Sequence, residues 1–331
     1  VALSSPFIML FGLVEIQWWH WASFVMVILV FLALDLGFFH REAHVVSFRE
    51  ALAWTSVWFT TAMIFAVTLV PVRGGPAALD FVQGYLIELS LSMDNVFVIA
   101  MIFGYFRVPR EFQHRVLFWG ILGALVMRGV MIWLGSELIE KYQWTLYIFG
   151  VFLLVTAVRM LVGDDEEEIH PERNPVIRLV RRYFPVSPDY DGQKFLTRIN
   201  GRHILTPMAI VLVMVETTDL VFALDSIPAI FGVTTDRFIV FTSNVFAILG
   251  LRSLYFVLAG AIACFRYLKT GLALVLAFIG IKMLIVKWVH IPSVISLPIV
   301  IGIILASIAW SLWCSRGGRT AGNRGGGDGD S

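Results

Sequence analysis

The chain has 331 residues, 58% of them hydrophobic, and a mean hydropathy of +0.82, far above the apolar share of soluble domains. That composition excludes a soluble enzyme or a nucleic-acid-binding module and implies a protein that crosses a membrane several times. The net charge of +1 decides little, because in membranes the placement of Lys and Arg carries the information.

Residues 1–19 are expected to form an N-terminal segment. The apolar run Phe7–Val14 lacks a preceding basic cluster and leads into Glu15, which is not the layout of a secretory signal. At about 20 residues per helical span, nine spans are predicted, at roughly 20–40, 51–70, 78–106, 115–135, 144–162, 203–231, 236–262, 270–289 and 294–314. The fold class is thus all-α, with one transmembrane domain over 20–314. The third and sixth spans are too long to cross straight. The connector 163–202 opens on the acidic run Asp164–Glu168 and carries Arg178, Arg181 and Arg182; it reads as a solvated segment lying partly on anionic lipid. The Gly-rich tail 315–331 reads as disordered.

Loops after odd-numbered spans hold eighteen Lys and Arg residues, whereas the other side holds four, Arg73, Lys141, Arg237 and Lys287. By the positive-inside rule the N-terminus is outside and the C-terminus cytoplasmic.

Two stretches inside apolar spans repeat. Glu88-Leu-Ser-Leu-Ser-Met-Asp94-Asn95 and Asp219-Leu-Val-Phe-Ala-Leu-Asp225-Ser226 share their layout at an offset of 131 residues. Arg128 and Arg252 in the following spans repeat at an offset of 124, and Arg159 and Lys282 in the third spans at 123. Repeat A (78–162) starts outside and repeat B (203–289) starts inside, so the triplets are related by inverted topology, a recurring architecture of secondary transporters.

Six carboxylates fall inside predicted spans, Asp35, Glu88, Asp94, Glu216, Asp219 and Asp225. At about 2.5–3.5 kcal/mol each on the insertion scale, leaving them bare would cost roughly 15–20 kcal/mol. Arg128 and Arg252 offset two at most and read as structural counter-ions, so protons or cations must neutralise the rest. On a straight helix Glu88, Ser92 and Asn95 share a face, Asp94 points about 120° from Glu88, and Asp225 about 120° from Asp219. Pro228 is therefore expected to break the sixth span, with a matching irregularity near Ser92–Asn95, so that Asp94 and Asp225 converge on one midplane site. The donors Glu88, Asp94, Asn95, Glu216, Asp219, Asp225 and Ser226 are oxygen-bearing, which suits Mn²⁺, Mg²⁺ or Ca²⁺ rather than Zn²⁺ or Cu⁺. Met93, Met214, Cys264 and Cys314 read as packing residues, and Lys282 as a side chain that snorkels.

Leu32-Ala-Leu-Asp-Leu-Gly-Phe38, Glu88–Asn95, Gly192-Gln-Lys-Phe195, Glu216–Ile230 and Thr242–Ser253 together resemble the TerC/Alx family of integral membrane proteins. The resemblance covers roughly 20–315. It implies a bacterial inner-membrane protein with no prosthetic group, historically tied to tellurite resistance, in a family whose members include manganese exporters. It also implies that the residues of the family's acidic motifs map onto Glu88, Asp94, Asn95, Glu216, Asp219 and Asp225, with Asp35 matching the acid of the first span. The expected function is Mn²⁺ efflux in exchange for protons, with the divalent cation and the lipid bilayer as partners. Plant relatives linked to thylakoid membrane protein assembly leave an assembly-factor reading open. An intramembrane aspartyl protease is disfavoured, since its Gly-x-Gly-Asp context is absent.

Overall fold

A computed structural model describes residues 17–39, 47–162, 174–199, 201–258, 268–289 and 291–322. Nine long helices lie where the nine spans are predicted: α1 (Trp18–Phe39), α2 (Phe48–Arg73), α3 (Gly75–Tyr105), α4 (Arg110–Lys141), α5 (Thr145–Val162), α7 (Pro207–Phe231), α8 (Arg237–Leu258), α9 (Leu268–Ile285) and α10 (Ser293–Gly322). Seven of them, α2–α5, α7, α8 and α10, are long and apolar enough over their described residues to cross a membrane. The protein is an all-helical, multi-pass membrane protein.

Local sequence explains where the helices begin and end. Ser47 accepts a hydrogen bond from the Glu50 amide and caps α2. Gly74, at a positive φ of 88°, turns the chain from α2 into α3 in a single residue. The Asp236 carboxylate caps α8 by accepting from the Phe238 and Ile239 amides, and pairs with Arg73 at the end of α2.

Most helices are apolar all round, so burial rather than amphipathicity reports their position. In α8 89% of the apolar window is buried, against 22% in α2 and 11% in α10, which makes α8 the central helix and α10 a peripheral one. Aromatic rings from α1, α2, α3 and α8, among them Phe24, Phe65, Phe81 and Phe246, close one side of the core.

The triplets α3–α5 and α7–α9 interlock, and each helix crosses its counterpart antiparallel. The late part of α3, Val96 to Phe103, shares a core with the early part of α7, Met208 to Val215, while Gly84 near the start of α3 meets Ile230 near the end of α7. On α4 and α8, Gln113 accepts from Tyr255 whereas Glu137 pairs with Arg237. On α5 and α9, Gly150 faces Leu284 and Leu153 faces Gly280. Three antiparallel pairs are what inverted topology requires.

Several boundaries move. Strand β2 (Arg202–Leu205) occupies the expected start of the sixth span, so α7 begins only at Pro207. Helix α10 continues to Gly322, into the expected disordered tail; 323–331 lie outside the described residues. Within the connector 163–202, Pro175–Tyr183 forms α6 and Leu196–Ile199 forms β1, paired antiparallel with β2. This unit is folded onto the bundle rather than merely solvated. Ile177 is buried in the core of α3, α4, α7 and α8, Tyr190 donates to the Phe106 carbonyl, and Phe195 packs on Trp119 under Arg115. Thr197 and Lys194 donate to Asp191 and hold its carboxyl below the usual carboxylate range. The α6–β1–β2 unit marks one end of the bundle, the capped end; the other is the open end.

The expected breaks are not there. Helix α3 is continuous through Ser92–Asn95 and α7 through Pro228. Pro228 stands only three residues before the end of α7, so its missing N–H removes one hydrogen bond in the last turn, and α7 resumes no course that a kink could redirect.

Candidate functional site

Arg128, in the middle of α4, is the centre of the polar interior. It is 1% exposed, and its guanidinium donates through Nε to Asp219 Oδ2 (3.1 Å) and through Nη2 to Asp219 Oδ1 (2.9 Å), a two-pronged pair. Nη1 donates to Glu88 Oε1 and to Ser226 Oγ at 3.2 Å. One cation thus joins α3, α4 and α7 at two carboxylates. Asp219 and Ser226 lie seven residues apart on one face of α7, which lets both reach the same guanidinium.

One charge does not settle two acids. Glu88 is fully buried, and its second oxygen, Oε2, has no hydrogen-bond partner. On the same face of α3 follow Ser92 Oγ and Asn95 Oδ1, both on buried residues and both unpartnered. Glu216, one turn before Asp219, turns to α4, where its carboxylate lies in the space left by the missing side chain of Gly123; a Cβ there would stand 2.0 Å from Glu216 Oε1. Its Oε2 is buried and unpartnered as well. Four orphaned oxygens, one of them on the glutamate that Arg128 already holds, form an acceptor-rich interior that calls for a cation, protons or water.

The single midplane site formed by two broken helices is overturned. With α3 and α7 unbroken, helical periodicity turns Asp94 away from Glu88 and Asp225 away from Asp219. Asp225 accepts from Thr156 of α5 at 2.9 Å, away from the Arg128 cluster. Asp94 stands in the half of α3 toward the capped end and Asp225 in the half of α7 toward the open end. Among the described residues no three His, Cys, Asp or Glu side chains gather tightly enough to hold a metal ion. Ser226, expected among the ligands, serves Arg128. Arg252 is buried on α8, and Asp35 lies on α1 with its side chain outside the described part.

Three features escaped sequence reasoning. Gly123 carries no signal that a carboxylate rests against it. Lys282 does not snorkel: it is 8% exposed, and its Nζ donates to Ser296 of α10 at 3.4 Å. The buried Gln83, whose Oε1 accepts from Ser296, was likewise hidden in the apolar start of α3.

The fold and interior define an inverted-repeat membrane protein with buried carboxylates on its crossing helices. The chain belongs to the integral membrane protein TerC family, whose pattern matches residues 73–319. It is 50% identical over 296 residues to STKORF319, an uncharacterized membrane protein of Myxococcus xanthus, covering 89% of this chain and 92% of that one. It is 47% identical over 302 residues to Alx of Escherichia coli (strain K12), provisionally described as a membrane-bound redox modulator, covering 88% and 94%. An uncharacterized membrane protein of Rickettsia bellii is 41% identical over 288 residues, covering 87% and 95%. No solved structure matches the chain.

Proposed function

We propose that the protein exports a divalent cation, Mn²⁺ in the first place, across the bacterial inner membrane in exchange for protons. One observation carries this reading: the buried, unpartnered oxygens of Glu88, Ser92 and Asn95 on α3 and of Glu216 on α7, the first of them on the carboxylate that Arg128 holds. Acceptors without donors are costly in a membrane interior unless a cation or proton visits them. A carboxylate can take up either, which is what exchange between metal and protons demands. Oxygen donors of this kind suit hard divalent ions.

With the single-site arrangement set aside, the cation passes a series of acids. Asp94 serves the half of α3 toward the capped end, the Glu88–Glu216 group serves the centre, and Asp225 serves the half of α7 toward the open end. Arg128 stays in place as a fixed counter-charge that keeps the centre from trapping the ion. The buried carboxylates carry the reading.

The test uses purified protein in liposomes with a Mn²⁺-sensitive dye and an imposed pH gradient. Wild type should move Mn²⁺ along with dissipation of the gradient, with Mg²⁺ and Ca²⁺ as comparison cargoes. Glu216→Gln removes the central charge. Gly123→Ala displaces that carboxylate while leaving the rest of the chain alone. Each should slow Mn²⁺ flux by about tenfold or more, the scale of one lost charged contact. Equal flux in wild type and both variants at equal incorporation would end the reading.

A further inference from the structure

The open end holds charges that the path above leaves unused. A cavity of about 480 Å³ opens between α3, α9, α10 and the loop after α7, with Asp80, Lys282, Ser293 and Thr234 in its lining. Lys282 and Asp80 carry opposite charges and face the same space. Each is nevertheless held by a serine of α10 rather than by the other: Ser293 donates to Asp80, and Lys282 donates to Ser296 at 3.4 Å, long for a charged donor. Behind Lys282, Ser296 donates to Gln83 Oε1 at 3.1 Å, while Gln83 Nε2, on a residue with no exposed surface, has no partner.

We infer that this cavity is a second cation site, at the mouth of the path, in which Asp80 binds a divalent metal ion and the Lys282 ammonium takes the ion's place when it leaves. The inference rests on the export reading for its direction but not for its chemistry. Asp80 is a carboxylate on a membrane-spanning helix with a neutral hydroxyl as its hydrogen-bond donor, so it favours a cation nearby. Lys282 brings one on a four-carbon tether whose head can pivot from Ser296 toward Asp80. A divalent ion and an ammonium cannot share one carboxylate without strong repulsion, so the tethered charge weakens metal binding. Such a site lets metal go, as a release site must. The hydroxyls of Ser293 and Thr234 supply further hard oxygen donors.

Equilibrium Mn²⁺ binding to the full chain in lipid nanodiscs, followed by the electron paramagnetic resonance of free Mn²⁺, reads the site without transport. Lys282→Gln should tighten Mn²⁺ at this site by about tenfold or more, since it removes a like charge close to the ion. Lys282→Arg, which keeps the charge, should stay near wild type. Adding Asp80→Asn to Lys282→Gln should abolish the gain. Lys282→Met, which suits a buried position, repeats the neutral substitution should the glutamine variant not fold. Unchanged binding in the neutral variant that folds, or a gain that survives Asp80→Asn, overturns the site. Gained binding without wild-type transport would instead overturn the export reading and leave the site standing.

Discussion

Arg128 shows how one side chain can set both stability and chemistry in this protein. Its guanidinium is the only group in the described contacts that bridges Glu88 of α3 to Asp219 of α7, and both acids are buried. Removing one partner of a buried ion cluster leaves an uncompensated charge, at a cost of about 3–5 kcal/mol. Arg128→Leu should therefore lower the thermal unfolding temperature of the detergent-solubilised protein sharply. Arg128→Lys should recover only part, because an ammonium cannot make the two-pronged pair with Asp219 while reaching Glu88 and Ser226. Combining Arg128→Leu with Asp219→Asn should be less harmful than Arg128→Leu alone, and an additive loss would dissolve the cluster as a unit. Much of this was legible in the sequence: the acids recur in register, and the arginines recur with them as counter-ions. The partner of each acid was not legible, because pairing depends on the rotation of three helices about their axes. Ser226, expected among metal ligands, consequently turns out to accept an arginine N–H.

Helices α5 and α9 cross at glycines, and that crossing governs how closely the two triplets approach. A Cβ on Gly280 would stand 2.8 Å from the carbonyl oxygen of Gly150, and one on Gly150 would stand 3.1 Å from that of Gly280. The obstacle is backbone, so relief requires the helices to part. Small residues at such a crossing are how membrane helices gain packing when lipid removes the hydrophobic drive. Gly280→Ala should thus cost about 1–3 kcal/mol through overpacking, despite the better helix propensity of alanine. Gly302→Ala on α10, where nothing lies within 4 Å of the added methyl, should be neutral or slightly stabilising. Thermal melts of the two variants side by side check this, and equal melting would mean that α5 and α9 are not in close backbone contact. At this scale helix positions were legible from apolar length alone, to within a few residues. Pro228 misled because a proline permits a break without requiring one, and its effect depends on how much helix follows it. Of the anchors of the α6–β1–β2 unit, Ile177 was legible, since Ile177 and Val180 stand three apart on the apolar side of an amphipathic helix, whereas Tyr190 and Phe195 are single apolar residues in a polar segment with no periodic pattern to announce them.

Across the whole molecule, the inverted relation of the triplets was readable because three offsets, 131, 124 and 123, kept their order, and antiparallel crossing of each matched pair is their consequence in space. What remains is which way the molecule faces. The capped end gathers Arg110, Arg115, Arg178, Arg181, Arg182, Lys194, Arg198 and Arg202 on α4, α6 and the hairpin. Of the four basic residues expected at the open end, two are spent in ion pairs: Arg73 with Asp236, and Arg237 with Glu137 and Glu140. The capped end has a pair of its own, Lys194 with Asp191, and the Lys and Arg count still favours it. The positive-inside rule predicts that the capped end faces the cytoplasm and the Asp80–Lys282 cavity faces outward. With Cys264 and Cys314 replaced by serine, single cysteines at two exposed positions read this directly. Gln143→Cys lies in the turn between α4 and α5 at the open end, and Lys194→Cys lies in the cap, where the native side chain is 65% exposed. A membrane-impermeant maleimide added to intact cells should label Gln143→Cys at once, and Lys194→Cys only after the membrane is opened. The reverse pattern would put the cavity in the cytoplasm, where an ammonium that competes with metal would guard entry rather than release, and the proposed direction of transport would have to be redrawn.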